Sequence, residues 1–203
     1  MTEELHTVLE ESRRLGFLGP GPVDDHIAHA ERFCRLVGDV SGSFVDLGSG
    51  GGVPGLVALA VWPHATGVLL DAQVKRCAFL RRSVVDLGWA GRTTIVEDRA
   101  ERAGRVADLR EAADLVLVRS FGPPAPTAEC AAAFVRPGGR VAVSEPPSGS
   151  EARWPAEGLA VLGLELEALR HDDGVHVAVL RKIAPLDDRY PRADGVPGKR
   201  PLF

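Results

Sequence analysis

The segment that most constrains the fold is Val45-Asp46-Leu47-Gly48-Ser49-Gly50-Gly51-Gly52-Val53-Pro54-Gly55. It closes a short apolar run, Ser43 to Leu47, with a glycine-rich turn. Pro54 suits the first turn of a helix, which is expected to run to about Val61. Strand, glycine turn and helix in that order give an open α/β sheet with a ligand at the turn. Glycines let the backbone turn sharply and approach a ligand closely. The helix that follows aims free N–H groups into the turn.

The rest of the chain repeats the alternation. Gly67 to Asp71, Thr93 to Glu97, Asp114 to Val118 and Arg140 to Ser144 read as further strands. Helices are expected over Val74 to Leu87, from the third strand to about Glu111, and over Ala125 to Val135. Leu159 to Leu169 and Val175 to Leu180 read as two last strands that form a hairpin, one of them antiparallel to the rest. Before the glycine turn, Leu5, Val8, Leu9 and Leu15 have rough helical spacing, and Gly16 to Pro22 is a break. Asp24 then caps a helix that carries Ile27, Ala30, Phe33, Cys34 and Val37. The tail from Pro185 to Phe203 has no periodicity. We therefore expect an N-terminal helical extension over 1–40, one α/β domain over 41–184 and a Pro-rich basic tail over 185–203. The sheet is mostly parallel and covered on both faces. Its chemistry belongs just after Leu47, Asp71, Glu97 and Val118.

Which ligand the turn takes follows from its neighbours. A dinucleotide motif would need a third glycine at position 53, where the chain has Val53, and Asp46 would repel a pyrophosphate. S-adenosylmethionine carries a sulfonium, an ammonium group and no phosphate, so it tolerates a nearby carboxylate. A turn with no ligand is the plainer alternative. Asp71 ends the second strand and is placed either to accept bonds from both ribose hydroxyls or to cap the next helix. Glu97 to Glu101 forms a loop that either clamps an adenine through backbone groups or is a solvated charge cluster. Arg119 follows the fourth strand, where it could hold a cofactor carboxylate, contact a nucleic-acid phosphate or form a surface salt bridge. Lys75, Arg76, Arg81 and Arg82 make one helix basic, and Arg189, Arg192, Lys199 and Arg200 make the tail basic. They suit phosphates or simply a solvated face. His26 and His29 lack partners for a metal site, and His26 is expected to face the cleft.

Composition limits the class. In 203 residues, 45% are hydrophobic and 26% charged, which is ordinary for a folded domain. A formal net charge of −4 argues against indiscriminate nucleic-acid binding and leaves room for a local basic face. Three scattered cysteines, Cys34, Cys77 and Cys130, support neither a disulfide framework nor zinc. With no apolar run of about 18 residues and no signal-peptide pattern, a cytoplasmic protein with no membrane partner is expected.

The glycine segment, with Phe44 before it, resembles the bacterial small-subunit (16S) rRNA guanine-N7 methyltransferase G family, also called glucose-inhibited division protein B. The resemblance continues through Leu69 to Asp71, Lys75 to Leu80, Arg99 to Glu101, Val118 to Phe121 and Pro137 to Gly139. It ends with Tyr190 to Arg192 and Pro197 to Leu202, and Asp25-His26-Ile27 is similar to the family's N-terminal helix. It implies a class I S-adenosylmethionine-dependent methyltransferase, Rossmann-like, with a seven-stranded sheet. It implies cofactor contacts at Gly48, Val53, Ala100, Glu101 and Arg119, to which the residues themselves add Gly50 and Asp71. The implied substrate is a guanine in the rRNA of the small ribosomal subunit, and the enzyme is expected to be a monomer. The chain departs from the family at Glu145-Pro146-Pro147, where a lysine-glycine is usual, and at Ser120-Phe121. The alternatives are a diverged methyltransferase acting on a small molecule or protein, or a cofactor-binding module without catalysis. Guanine N7 has a free lone pair and no proton, so its methylation needs no general base.

Overall fold

The computed structural model describes residues 2–203. Two helices come first, α1 (Glu3–Arg14) and α2 (Val23–Val37). The alternating part follows: β1 (Ser43–Leu47), α3 (Gly55–Val61), β2 (Thr66–Asp71), α4 (Val74–Asp86), β3 (Thr93–Glu97), α5 (Ala100–Ala103), β4 (Ala113–Val118), α6 (Pro124–Ala132) and β5 (Val135–Glu145). The chain ends with α7 (Ala156–Ala160), the hairpin β6 (Leu164–Asp172) and β7 (Val175–Lys182), and α8 (Val196–Lys199). Among the described residues, no helix is long and apolar enough to cross a membrane.

All seven strands form one sheet in the order β3-β2-β1-β4-β5-β7-β6. Only β7 runs against its neighbours in the parallel set, pairing antiparallel with both β5 and β6. The chain leaves β1 toward β2 and β3 and then returns to β4 on the other side of β1. That reversal is the topological switch point. Register aligns the strand ends there: Leu47 sits beside Leu70 and Val118, and Asp71 beside Glu97.

The core lies in two layers, one on each face of the sheet. Strand side chains alternate between them, as the pleat requires. Phe44, Leu115 and Leu117 point into the layer under α2, α3 and α4, with Phe33, Leu56, Leu59 and Phe79. Val45, Val116 and Val118 point into the other, with Phe134, Trp154, Leu159 and Leu180. This explains why the inner strands read as unbroken apolar runs. Each large side chain fully buried there contributes roughly 1.5–3 kcal/mol.

Several elements differ from the sequence reading. The helix after β3 is one turn, Ala100–Ala103, and does not reach Glu111. The helix after β4 stops at Ala132, and Val135 already belongs to β5. Leu159 lies in α7, not in a strand. Asp24 is not a cap: α2 starts at Val23 behind Pro22, with no side-chain capping bond, and Asp24 stands in the first turn facing His6 at 3.2 Å. The tail lacks periodicity but is held by long-range bonds. Arg192 makes a bidentate pair with Glu129, its Nη2 standing 2.6 Å from Oε2, and its backbone N–H donates to Oε1 at 2.8 Å.

Candidate functional site

The glycine turn is tied to its neighbour strand at once. The N–H groups of Gly48 and Ser49 both donate to the Leu70 carbonyl at 2.9 Å. Gly48 has φ +77°, and a Cβ there would meet the Phe121 ring at 2.8 Å. At Gly51 a Cβ would strike Leu18 at 2.7 Å and the Phe17 carbonyl at 2.8 Å. Glycine is needed at both positions because other segments close on the turn.

Asp46 does not face the cleft. It is fully buried, its Oδ2 accepts from the Gly55 N–H at 3.0 Å, and its Oδ1 has no partner. Its role is to orient the turn at the start of α3. Burial pushes its pKa up to about 7, against the nearby Ser49 hydroxyl and the Gly55 N–H, which lower it; Asp71 adds to the rise and Arg119 opposes it.

Two cavities open on either side of Gly48, which lines both. The first, about 330 Å³, lies at the ends of β2, β3 and β4 and holds Asp71, Ala100, Glu101, Phe121, Gly195 and Pro197 in its walls. Asp71 braces the loops here: Oδ2 accepts from the Gly50 N–H at 2.9 Å and Oδ1 from the Gln73 N–H at 2.8 Å. Arg76 stands 3.6 Å from Oδ2. Helix α4 has its N-cap at Gln73 with no side-chain bond of its own, so Asp71 supplies the cap from two residues back. Each carboxylate oxygen still has an unused lone pair. The Glu101 side chain accepts from Arg99 at 2.9 Å and from the Gly195 N–H at 2.8 Å, which joins the tail to the cavity. Burial alone would raise Glu101, but those two bonds outweigh it and hold the carboxyl below the usual range.

The second cavity, about 210 Å³, is bounded by the turn, by Phe17, Leu18 and Gly19 of the α1–α2 connection, and by His26, Arg76 and Arg119. Ser12 fastens the N-terminal segment to the turn by donating to the Gly51 carbonyl at 2.8 Å. Arg119 is half-buried, and among the described residues it forms no ion pair; its bonded neighbour is His26 Nδ1, 3.3 Å from Nη2. Burial pulls the guanidinium down from its ordinary range and Asp46 opposes this. A guanidinium stays charged through such a shift, so this cavity has at its wall a cation with no ion-pair partner among the described residues.

The seven residues expected to contact a cofactor thus all border the two cavities. Asp71, Ala100 and Glu101 line the first, Gly50, Val53 and Arg119 the second, and Gly48 both. The basic residues expected to meet phosphates divide differently. Arg76, Arg81, Arg82, Arg189 and Arg192 are paired with Asp71, Glu97, Glu11, Asp187 and Glu129. Lys75, Lys199 and Arg200 are exposed, and each lies in sequence next to a residue lining a cavity or one position beyond it. Glu145 turns inward, 4% exposed, to Arg153 at 2.7 Å, and does not present its charge to solvent. The contributions of Ser12, Phe17, Leu18, Phe121 and Gly195 were not foreseen. The Gly16 to Pro22 break was the sequence signal near Phe17 and Leu18, and Phe121 stood in the segment Val118 to Phe121, but neither reading placed these residues in the cavity walls.

This cleft, at the switch point of a sheet with a single antiparallel strand, can be set beside known proteins. The family model described as rRNA small subunit methyltransferase G matches residues 23–145, more than half of the chain. The chain belongs to that family. It is 33% identical over 191 residues to the ribosomal RNA small subunit methyltransferase G of Roseiflexus sp., covering 90% of this chain and 80% of that protein. It is 32% identical over 165 residues to the protein of that name from Parasynechococcus marenigrum, covering 78% of this chain and 66% of the relative. The matched region ends at Glu145, so it includes the glycine turn, Asp71, Glu101 and Arg119. Among solved structures, an RNA methyltransferase from Salinibacter ruber in complex with S-adenosyl-L-homocysteine superposes with a TM-score of 0.58 at 17% identity, over 84% of this chain and 97% of that one. The mitomycin 7-O-methyltransferase MmcR superposes with a TM-score of 0.63 at 18% identity, over 77% of this chain and 53% of that one. At those identities the likeness is one of fold, the class I methyltransferase fold.

Proposed function

We propose that this protein uses S-adenosylmethionine to methylate N7 of a guanine in the rRNA of the small ribosomal subunit. The family relationship supports the reaction class and the rRNA substrate. The observation that carries the reading is the family match over residues 23–145; the cleft agrees with N7, because each carboxylate and imidazole lining the two cavities already has a partner within the protein. Asp71 and Glu101 accept backbone N–H groups, Asp98 accepts from Arg99 N–H and pairs with Arg102, and both ring nitrogens of His26 are in use. Burial pushes the Cys130 thiol far up, so it is no base either. This agrees with an acceptor that has no proton to lose.

The residues fit the cofactor. The donor molecule, when bound, supplies a methyl group on a positive sulfonium. The unpaired Arg119 would hold the α-carboxylate by charge-assisted bonds. The spare lone pairs of Asp71 would accept the ribose hydroxyls. Ala100, at the first position of α5, has a backbone N–H with no partner inside its helix, which suits an adenine ring nitrogen. Gly48 lets the chain approach from the centre, and Gly50 and Val53 shape the wall beside Arg119. What remains for catalysis is alignment and exclusion of water. Lys75, Lys199 and Arg200 are exposed and lie within two positions in sequence of cavity-lining residues, and they suit backbone phosphates.

The test is methyl transfer from labelled S-adenosylmethionine to small subunits from a strain lacking this guanine modification, with naked rRNA and a metabolite extract in parallel. Label recovered as N7-methylguanine is the expected result. Label in the metabolite extract alone would replace the substrate, and no transfer to any of them despite donor binding would make the chain a binding module.

A further inference from the structure

Resting on the assignment of Arg119 to the donor carboxylate, we propose that His26 is a positioning residue that fixes the Arg119 guanidinium by accepting its hydrogen bond in one imposed tautomer.

The two partners of the ring settle its protonation pattern. A guanidinium only donates, so Nδ1, 3.3 Å from Arg119 Nη2, carries no hydrogen. A backbone carbonyl only accepts, so Nε2, 3.2 Å from the Gly19 oxygen, carries one. His26 is the neutral imidazole with its hydrogen on Nε2. It links two separate parts of the cavity wall. Gly19 belongs to the connection that also brings Phe17 and Leu18 to the glycine turn, and Arg119 follows β4. Without this bond Arg119 would have no side-chain partner among the described residues.

A free arginine has several rotatable bonds and loses on the order of 2 kcal/mol of side-chain freedom when held. His26 takes one of its five N–H groups and leaves the others for an anion. Preorganisation of this kind strengthens binding by removing an ordering cost. The surroundings keep the imidazole role clean. His29, one turn along α2, is pulled down to about 4 by burial and then by Arg119, His26 and Arg32, so it is neutral near pH 7 and does not compete with Arg119 for an anion. A carboxylate at position 26 would neutralise Arg119; an imidazole orients it and leaves its charge available.

The experiment measures the affinity of full-length protein for S-adenosylhomocysteine by calorimetry, and the KM and kcat for S-adenosylmethionine. His26 is half-exposed, so its variants should fold, and a thermal melt checks this. His26→Ala should weaken binding about 3- to 10-fold, the range of one hydrogen bond to a charged group. Its effect should appear in KM, with kcat kept. His26→Asn places an amide oxygen where Nδ1 stood and should restore affinity to within about 2-fold of wild type. In an Arg119→Ala background, His26→Ala should have no further effect, because it acts through Arg119. Unchanged affinity in His26→Ala, failure of Asn to rescue, or additive losses in the double variant would each overturn the proposal. The outcomes also separate the two layers of the argument. Wild-type protein that does not bind, or Arg119→Ala that binds as well as wild type, refutes the donor assignment itself. Loss in Arg119→Ala without loss in His26→Ala refutes only the positioning role.

Discussion

Arg192 and Arg119 are both arginines held partly against the interior, and the structure treats them differently. Arg192 meets a fully buried carboxylate, Glu129, with bidentate geometry, and pins the tail whose Gly195, Pro197 and Gly198 line the first cavity. Arg119 lines the second cavity with an imidazole for a partner and no carboxylate. The same contrast holds for the cavities as wholes. The acids bordering the first are satisfied by backbone N–H groups and arginines, which on the proposed reading leaves shape and hydrogen bonds to select a ligand there. The second keeps, in Arg119, a cation with no ion-pair partner among the described residues. A cation satisfied within the protein contributes to folding, and one left unsatisfied is available to a ligand.

The largest effect should come from breaking the satisfied pair. Arg192→Ala leaves Glu129 buried with no counter-charge and should cost about 3–5 kcal/mol in urea unfolding. Arg119→Ala should cost less than about 1 kcal/mol by the same measurement, since it removes a half-buried cation that has no ion pair to lose. Equal losses at the two sites would erase the contrast.

Next in size is a pH effect at Asp46. Its pKa is about 7 in the folded protein, raised from 3.8 by burial, so the folded state holds this proton more tightly than the unfolded chain. The contribution is fully present below about pH 4 and is lost as pH rises through 7, a change on the order of a few kcal/mol. His29 works in the opposite sense: its pKa is lowered to about 4, so stability is lost as pH falls from 6.5 toward 4. Comparison of wild type with Asp46→Asn cancels the histidine. Wild-type stability should fall relative to the variant between pH 4 and 7, and parallel curves would show that Asp46 is not held as a buried acid.

Smaller still is Gly48→Ala. The φ of +77° costs about 1–2 kcal/mol for a residue with a Cβ, and Phe121 must also give way. Phe121→Ala in the same chain should recover the contact but not the backbone strain, so rescue in a thermal melt should be partial.

The fold could be read largely from the sequence because its strands are punctuated locally. β1 and β3 have the expected bounds, since a glycine turn or a charged loop closes each one. The antiparallel end of the sheet was legible from two apolar runs with no clear helix between them. Errors fell where the local pattern conflicts with long-range packing. Alanines at 131 to 133 continue a helical pattern, yet Phe134 and Val135 are drawn into the sheet beside Ala113. The charged stretch after Glu101 looked helical, but it breaks after one turn, and Arg105 and Arg110 reach across to tail carbonyls. The site divides the same way. Gly48, Asp71 and Arg119 were visible because strand ends meet at the switch point, whereas Val53, Ala100 and Glu101 came only from the resemblance. The wall formed by Ser12 and Gly51, 39 positions apart, and the tail bond between Glu101 and Gly195, 94 apart, leave no local signature. Glu145 illustrates the converse: the sequence shows an acid where a base is usual, and only the structure shows it turned onto Arg153.

The division of the cleft is tested most directly by calorimetry with two ligands on two proteins. S-adenosylhomocysteine carries both a nucleoside and an amino-acid end, and adenosine carries the first alone. The account predicts that Arg119→Ala weakens S-adenosylhomocysteine by about 10-fold or more, as expected for lost charge-assisted bonds, and leaves adenosine unchanged. Equal weakening of both ligands, or of neither, would contradict the assignment of the charged end to Arg119.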